Sequence, residues 1–298
     1  MGRALHDAVP AARLVFAEVD EALGAPLSRL MFEGPEEQLR LTENAQPALL
    51  AASLAAVRAL EARSGRRLVD LCSVVAGHSL GEYSALAAAG SLAIGDAARL
   101  LRVRGRAMQE AVPVGAGAMA AILGLELEQV EQVAREASAV GVCDLANDNA
   151  PGQAVVSGDR AAVERAVDVA KAQGARRSVL LPVSAPFHCR LLAPAAEAVR
   201  AALAEVQIRA PGVAVVTNVT ARPESAPEAL RARLVEQVVA RVRWRESLLA
   251  MAELAVAATV ELGAGRVLSG LTKRTLPGIA TVALGTPEEI DAFVATLA

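Results

Sequence analysis

The chain has 298 residues, of which 54% are hydrophobic and only 2% aromatic, and its formal net charge is −3. This charge balance produces no field that would attract nucleic acid, and the few aromatic residues are not interleaved with basic ones, so we exclude nucleic-acid binding. No apolar run reaches the roughly 18 residues that a membrane span requires, and the first residues lack the apolar core of a signal peptide. We therefore expect a cytoplasmic protein that makes no membrane contact.

The three cysteines of the chain are odd in number and far apart in sequence. Their spacing predicts neither a disulfide framework nor a zinc site, and a reducing compartment suits it best. No other pattern indicates a metal or a cofactor, and nothing indicates a dimer. We therefore expect a monomer that works without a metal and without a bound cofactor.

The first 114 residues alternate between helical periodicity and short apolar runs. Pro47 is expected to lie in the first turn of one helix, which Ser64-Gly65 ends, and Asp96 is expected to cap another. The predicted elements are helices over 10–23, 47–62, 82–89 and 96–111 and a buried strand over 71–76.

The pattern changes between residues 115 and 183, where strands become more frequent. The predicted elements are a strand over 118–123, a helix over 127–139, strands over 142–147 and 154–157, a helix over 159–173 and a strand over 177–183. This β-α-β-β-α-β order is typical of the split ferredoxin-like unit. We therefore predict an inserted, small ferredoxin-like subdomain over 115–183.

Helices and strands alternate again after the insert. The predicted elements are a helix that begins near Pro194, strands over 213–218, 259–262 and 279–284, and helices over 227–240, 267–273 and 287–297. Such alternation is typical of an α/β protein whose parallel strands are covered on both faces. The predicted fold is a large α/β-hydrolase-like domain with a parallel sheet, formed by residues 1–114 and 184–298, which carries the insert.

The segment Gly77-His78-Ser79-Leu80-Gly81 lies between a predicted strand and a predicted helix. A sharp turn in this setting lifts the serine hydroxyl above the sheet edge and requires small residues at both flanks. The helix N-terminus favours a developing oxyanion, and the amide of Leu80 is the natural first donor. A plain glycine turn with a solvated serine is the alternative, but the strand–turn–helix setting favours Ser79 as a nucleophile.

A serine nucleophile needs a base within hydrogen-bonding distance, and the chain has three histidines. His6 lies in a terminal helical segment, and the side chain of His78 should point away from the Ser79 hydroxyl. His188 follows the last predicted strand of the insert, and loops at strand ends often present catalytic groups, so we predict His188 as the base. For the group that orients its ring, Asp144, Asp148 and a backbone carbonyl remain alternatives.

Arg104 and Met108 are four residues apart and therefore share one face of a predicted helix. An arginine directed into a pocket would bind a substrate carboxylate as a bidentate fork. Most arginines on helices are solvated, however, so the spacing alone favours a surface position for Arg104.

Several segments resemble bacterial malonyl-CoA:acyl carrier protein transacylases, which belong to the acyltransferase family of fatty-acid and polyketide synthesis. The segments are QPALL (46–50), GHSLGEYSALAAAG (77–90), RGRAMQEAVP (104–113), GAMAAILGL (117–125), NAPGQAVVSG (149–158), LPVSAPFHC (181–189) and ELGAGRVLSGLTKR (261–274). They follow the order of the family and extend over essentially the whole chain, so the resemblance is specific.

The resemblance implies a ping-pong mechanism with malonyl-CoA and acyl carrier protein as partners. Ser79 would attack the malonyl thioester, coenzyme A would leave, and the phosphopantetheine thiol of the carrier protein would then take the acyl group. His188 would act as general base and acid, with its ring oriented by the backbone carbonyl of Gln237. Arg104 would hold the malonyl carboxylate.

The resemblance also implies that Gln46, Met108, Phe187 and His78 line the substrate pocket. Phe187 would crowd an α-methyl group and thus favour malonyl over methylmalonyl by about 1–3 kcal/mol at most. Carrier proteins of this family are typically acidic, so basic side chains near the site are candidates for docking. These candidates are Arg190, Lys273 and Arg274 and the cluster Arg241, Arg243 and Arg245.

The chain departs from the family pattern at its start. Family members begin with an apolar strand and a Gly-Gln-Gly-Ser-Gln loop, which supply a central strand and a second oxyanion amide, whereas Met1 aligns just after that loop. Loss of one oxyanion donor typically costs about 2.7–4 kcal/mol in the barrier. We therefore expect the natural polypeptide to begin upstream of Met1.

Three other functions remain open from the residues. A discrete acyltransferase of polyketide synthesis would carry the same motifs. A serine hydrolase or thioesterase would share the Gly-x-Ser-x-Gly turn and the histidine, but it has no use for a carboxylate-binding arginine. A carrier-protein scaffold without turnover would account for the absent oxyanion loop.

Overall fold

The structure is a computed structural model of the chain and describes residues 1–297. Its first part is mainly helical and contains one short strand. The elements are α1 (Arg3–Ala8), α2 (Pro10–Leu23), α3 (Leu27–Glu33), α4 (Glu36–Arg40), α5 (Thr42–Ser64), β1 (Val74–Ala76), α6 (Gly81–Ala88) and α7 (Ile94–Glu110).

Residues 117–180 form a four-stranded antiparallel sheet in the order β3-β4-β2-β5. The elements are β2 (Gly117–Leu123), α8 (Leu127–Ala137), β3 (Cys143–Ala150), β4 (Gln153–Asp159), α9 (Arg160–Ala172) and β5 (Arg177–Leu180). Apolar side chains of the two helices and of one sheet face form a core of their own. The predicted β-α-β-β-α-β order is therefore present, while the domain bounds at 115 and 183 stay a prediction.

The last part again alternates between helices and strands. The elements are α10 (Ala193–Ala204), β6 (Ala214–Val216), β7 (Pro223–Glu224), α11 (Pro227–Glu236), α12 (Trp244–Glu253), β8 (Ala258–Leu262), α13 (Val267–Thr275), β9 (Ala280–Leu284) and α14 (Pro287–Val294). The sequence did not predict α12, although Trp244, Leu248 and Met251 are buried at helical spacing along it.

The parallel strands of the large unit lie in two separate hydrogen-bonded sheets. Strands β1 and β6 pair in parallel, with β7 antiparallel at the far edge, and β8 pairs in parallel with β9. The mixed α/β class is confirmed, and the predicted parallel pairing is present in each of these two sheets. Among residues 1–297 no strand joins β1 to β8, so β1 forms ladder hydrogen bonds along one edge only.

Two predicted helix starts were wrong. Helix α5 begins at Thr42, so Pro47 lies inside it, in the second turn, where its missing N–H removes a single helical hydrogen bond. Helix α7 begins at Ile94 with Ala93 at the cap, so Asp96 lies in the first turn and pairs with Arg99. A carboxylate in the first turn still suits the positive end of the helix dipole.

Helices α5 and α7 approach closely at Gly105. A Cβ atom at this position would lie 2.6 Å from the Cα of Glu43 and 2.6 Å from the carbonyl oxygen of Thr42. Only glycine permits this close approach of the two backbones. The approach brings side chains of α7 into contact with side chains of α5. Both helices bury most of their apolar residues in the principal core.

Within residues 1–297 no helix is both long and apolar enough to cross a membrane. All three cysteines of the chain are free thiols.

Candidate active site

Ser79 lies at the turn that joins β1 to α6. Its φ of 53° is in the left-handed region, which is uncommon for a residue other than glycine. A side chain at Gly77 would overlap the carbonyl oxygen of Gly81, whereas a Cβ at Gly81 would have no neighbour within 4 Å. The expectation that both flanks must be small is therefore wrong for Gly81 and holds for Gly77.

The hydroxyl of Ser79 and the imidazole of His188 are in contact. His188 lies in the loop between β5 and α10, and its Nε2 is 2.8 Å from the Oγ of Ser79. Its Nδ1 donates to the backbone carbonyl oxygen of Gln237 at 2.9 Å. Because a carbonyl can only accept, Nδ1 carries the proton and Nε2 is left to accept from the serine hydroxyl.

The carbonyl of Gln237 is available because Gln237 is the C-terminal cap of α11. The two carboxylates that the sequence left as alternatives have other partners. Asp144 accepts from the backbone amide and the guanidinium of Arg190, and Asp148 accepts from the Nε of Arg245 at 3.0 Å. The orienting group is therefore the backbone carbonyl.

The imidazole of His188 is only 3% exposed. Burial lowers its pKa to about 3, and the positive charge of Arg104 contributes in the same direction. The ring is therefore neutral near pH 7 and able to accept a proton.

Arg104 lies beside the nucleophile and is 1% exposed, so the surface position that its spacing favoured is wrong. Its Nη2 donates to the Oγ of Ser79 and to the Oε1 of Gln237, at 3.0 Å each, and its Nη1 donates to the Oε1 of Gln46 at 2.7 Å. Among the described residues its Nε has no acceptor, and no carboxylate forms an ion pair with it. The guanidinium is thus a buried charge held by neutral oxygens.

Gln46 accepts from the Nη1 of this guanidinium and in turn contacts Met108. The Nε2 of Gln46 donates to the Oγ1 of Thr42 at 2.8 Å and lies 3.8 Å from the Sδ of Met108, which is fully buried. Phe187 is half-buried and packs against the core beside the base.

His78 faces away from the Ser79 hydroxyl, as expected. Its Nε2 is 2.8 Å from the Oδ1 of Asn149, and its ring centroid lies 5.6 Å from that of Trp244. Burial lowers the pKa of His78, so this imidazole is neutral as well.

Asn218 fixes the serine turn, and the sequence did not indicate it. Its Oδ1 accepts from the backbone amide of Ser79 at 2.6 Å, and its Nδ2 donates to the carbonyl of Gly77 at 2.7 Å. Asn218 follows the end of β6, the parallel neighbour of β1. A polar residue at the carboxyl end of a strand next to β1 is the signal that could have identified it.

Glu82, one turn after Ser79 in an otherwise apolar helix, was also missed. It is fully buried, and its Oε2 accepts from the backbone amide of Asn218 at 2.9 Å and from the Nε2 of Gln237 at 2.8 Å. Burial raises its pKa to about 7, against these hydrogen bonds and the positive charge of Arg104.

The amide of Leu80 lies directly after the nucleophile and before the first residue of α6. Within residues 1–297 it donates to no acceptor. It can therefore donate to an oxyanion that forms on a carbonyl attacked by Ser79.

Nowhere among residues 1–297 do three or more His, Cys, Asp or Glu side chains form a group able to hold a metal ion.

Comparison with known proteins places this geometry in context. A family model described as acyl transferase domain matches residues 1–295. The chain is similar to the malonyl CoA-acyl carrier protein transacylase of Bacillus subtilis, with 44% identity over all of this chain and 92% of that protein.

Two solved structures share the fold over nearly their whole length. The acyl-carrier-protein S-malonyltransferase of Bartonella henselae has a TM-score of 0.97 and 50% identity, over 100% of this chain and 94% of that one. A malonyl-transacylase in complex with its type II PKS acyl-carrier protein has a TM-score of 0.95 and 41% identity, over 99% and 94% of the two chains.

The two glycines of the serine turn provide a matched test of its geometry. Gly77→Ala should lower the thermal midpoint strongly, since overpacking typically costs about 1–3 kcal/mol and the overlap here is with backbone. Gly81→Ala should leave the midpoint unchanged or raise it slightly, because alanine is favoured in a helix. Equal midpoints for the two variants, measured by circular dichroism, would contradict this account of the turn.

Proposed function

The chain belongs to the acyl transferase domain family, and on that premise we propose that it transfers a malonyl group from coenzyme A to the thiol of an acyl carrier protein. The observation that carries the proposal is the buried guanidinium of Arg104, 3.0 Å from the Oγ of Ser79 and free of any carboxylate partner among residues 1–297. An acyl group that brings its own carboxylate supplies the directly paired anion that this guanidinium lacks beside Ser79.

In the first half-reaction Ser79 attacks the thioester carbonyl while its proton passes to the Nε2 of His188. The amide of Leu80 donates to the oxyanion of the tetrahedral intermediate. The carbon–sulfur bond then breaks, and His188 returns the proton to the departing thiolate of coenzyme A. The product is a malonyl ester of Ser79.

In the second half-reaction the thiol of the carrier protein gives its proton to the Nε2 of His188, and its sulfur attacks the ester carbonyl. The bond to the Oγ of Ser79 breaks, and the oxygen takes the proton back from His188. The carbonyl of Gln237 accepts from the Nδ1 of His188 throughout, so both proton transfers occur at the Nε2.

Arg104 binds the malonyl carboxylate as a planar fork. This contact also affects the base. The positive charge of Arg104 lowers the pKa of His188, and a carboxylate paired with Arg104 offsets that charge. A malonyl group thereby eases formation of the imidazolium, whereas an uncharged acyl group does not.

In this proposal Gln46 and Met108 line the acyl pocket behind Arg104 and Phe187 lines it beside His188, whereas the ring of His78 faces Asn149 and Trp244, away from the Ser79 hydroxyl. The half-buried ring of Phe187 next to the base disfavours an α-methyl group.

We infer that the enzyme is a monomer of the cytoplasm and needs no metal or cofactor.

The carrier protein is that of fatty-acid synthesis in our proposal. A second candidate is a polyketide carrier, because one solved relative of 41% identity is a malonyl-transacylase in complex with its type II PKS acyl-carrier protein. Transfer rates to each carrier, measured side by side, decide between the two pathways.

Ion pairs within the chain reduce the number of basic residues that are candidates for carrier docking. Arg241 and Arg243 pair with Glu246, and Arg245 pairs with Asp148. These arginines, and Arg190 with its Asp144 partner, are partly neutralised. The exposed side chains of Lys273 and Arg274, at the end of α13, form no ion pair within residues 1–297, so we assign carrier docking to them.

Loss of the nucleophile should abolish the covalent intermediate. After brief exposure to malonyl-CoA, intact mass spectrometry should show one added malonyl group on the unsubstituted chain and none on Ser79→Ala. Ser84→Ala is the matched control, since Ser84 is a buried serine of the adjoining helix α6 whose Oγ has no partner among the described residues. Rapid release of free malonate without an acyl-enzyme would instead indicate a hydrolase.

Arg104→Lys keeps the charge but loses the fork. Hydrogen bonds to charged groups contribute about 1.5–3 kcal/mol, so kcat/KM for malonyl-CoA should fall about tenfold to a hundredfold. Acetyl-CoA has no carboxylate, and its slow reaction should not fall by the same factor. An equal fall for both thioesters would mean that Arg104 acts on Ser79 or His188 rather than on the carboxylate.

Charge reversal at the docking surface should weaken carrier binding alone. Lys273→Glu with Arg274→Glu should raise the KM for the carrier protein about fivefold to tenfold at low salt, less at high salt, with KM for malonyl-CoA unchanged. Lys171→Glu, which alters the only other lysine of the chain, is the control. An unchanged KM for the carrier in the double variant would exclude this surface.

A further inference from the structure

We propose that Glu82 is a positioning residue for the reaction, whose carboxylate ties the serine turn to the carbonyl that orients the base. The inference rests on the proposed function for its substrate but not for its geometry. Glu82 is an acidic residue of the site to which the mechanism above assigns no role.

One oxygen of Glu82 contacts both Asn218 and Gln237, which lie 136 and 155 positions away from it in sequence. The Oε2 accepts from the backbone amide of Asn218, and Asn218 in turn holds both the amide of Ser79 and the carbonyl of Gly77. The same Oε2 accepts from the Nε2 of Gln237, whose backbone carbonyl accepts from His188. Nucleophile and base are thus both two hydrogen-bonded steps from this carboxylate.

Gln237 has several acceptors and donors around its side chain, and Glu82 selects among them. Its Nε2 also donates to the carbonyl of Ser79 at 3.0 Å, and its Oε1 accepts from Arg104 at 3.0 Å. Charged partners form the shorter and stronger hydrogen bonds, so the carboxylate at the Nε2 and the guanidinium at the Oε1 together set which way this amide points. The amide orientation in turn fixes the residue whose carbonyl holds the imidazole.

The charge itself is unfavourable for folding, which argues against a purely structural role. The carboxylate is fully buried, and its Oε1 has no hydrogen-bond partner among the described residues. The titratable groups that face it are Arg104 of α7 and Tyr83 of its own helix, with His188 one step beyond Gln237. A glutamine would fill the same volume without the cost of burying an ion.

The sign of the pH effect on stability follows from the raised pKa. Because the folded pKa of about 7 lies above the ordinary value of 4.5, the folded protein holds this proton more tightly than the unfolded chain does. The contribution to stability is largest below pH 4.5 and is lost as the pH rises through 7. At neutral pH the ionised carboxylate therefore weakens the fold while it orders the site.

The experiment compares Glu82→Gln with the unsubstituted chain in two assays, malonyl transfer and covalent labelling of Ser79 by diisopropyl fluorophosphate. The variant keeps one acceptor oxygen and loses the charge. Both rates should fall about 10- to 100-fold above pH 7, as expected for a misplaced catalytic group, with the KM for malonyl-CoA unchanged. The rates of the unsubstituted chain should fall as the pH drops below about 7 and approach those of the variant, which should not vary in this range.

Thermal unfolding provides the readout that a structural role would not give. Glu82→Gln should have a higher thermal midpoint than the unsubstituted chain at pH 8, and the difference should shrink toward pH 5. Asp20→Asn is the control, because Asp20 of α2 also accepts a backbone amide, that of Ser28 in α3 at 2.8 Å, but makes no contact with the site residues named above. Its rates and their pH dependence should equal those of the unsubstituted chain.

Labelling of Ser79 in Glu82→Gln at the unsubstituted rate, with the same pH dependence, would overturn the inference. If that variant does not fold, a flat labelling profile of the unsubstituted chain across pH 5.5–8.5 would overturn it equally, since His188 does not titrate there. Labelling that depends on Glu82 while malonyl transfer is absent would refute the proposed substrate and leave the positioning role standing.

Discussion

The buried charge of Arg104 is the constraint around which the site is organised. A guanidinium in the protein interior is costly unless its N–H groups are hydrogen-bonded, and here the acceptors come from three different helical segments. Gln46 lies on α5, Ser79 precedes α6, and Gln237 follows α11. Satisfying one cation thus fixes how these segments meet. The close approach at Gly105 is the packing condition that allows it.

The pairing of Ser79 with His188 could be predicted from sequence because its signals are local or few. The turn around Ser79 has its own motif between a strand and a helix, and His188 was one of only three histidines. The burial of Arg104 came only from resemblance, since helical spacing cannot distinguish a pocket from solvent. Asn218 had a signal in its place after β6, but Glu82 could not be predicted, because its contact with Asn218 joins residues 136 positions apart and is made to a backbone amide, which has no sequence signature.

The surroundings of the basic cluster and the start of α5 likewise depend on contacts that only the folded chain makes. The basic cluster beside Trp244 is prominent in the sequence, yet Arg241 and Arg243 pair with Glu246 of α12, and Arg245 pairs with Asp148 of the insert, which lies nearby only after folding. The start of α5 was misplaced because Pro47 is a strong helix-start signal, while burial of Thr42 and Gln46 against α7 extends the helix beyond it. Tertiary contacts overrode local preference in both cases.

The hydrogen bond from His188 to a neutral carbonyl has a consequence for which nucleophile can release the acyl group. A carboxylate partner would stabilise an imidazolium by a full opposite charge, whereas the Gln237 carbonyl offers only a dipole, so His188 remains a weak base. In the proposed second half-reaction a thiol, whose pKa is about 8.5, requires less of this base than water does, at about 15.7. A neutral partner for the His188 ring therefore favours sulfur over oxygen as the incoming atom in the mechanism that we propose.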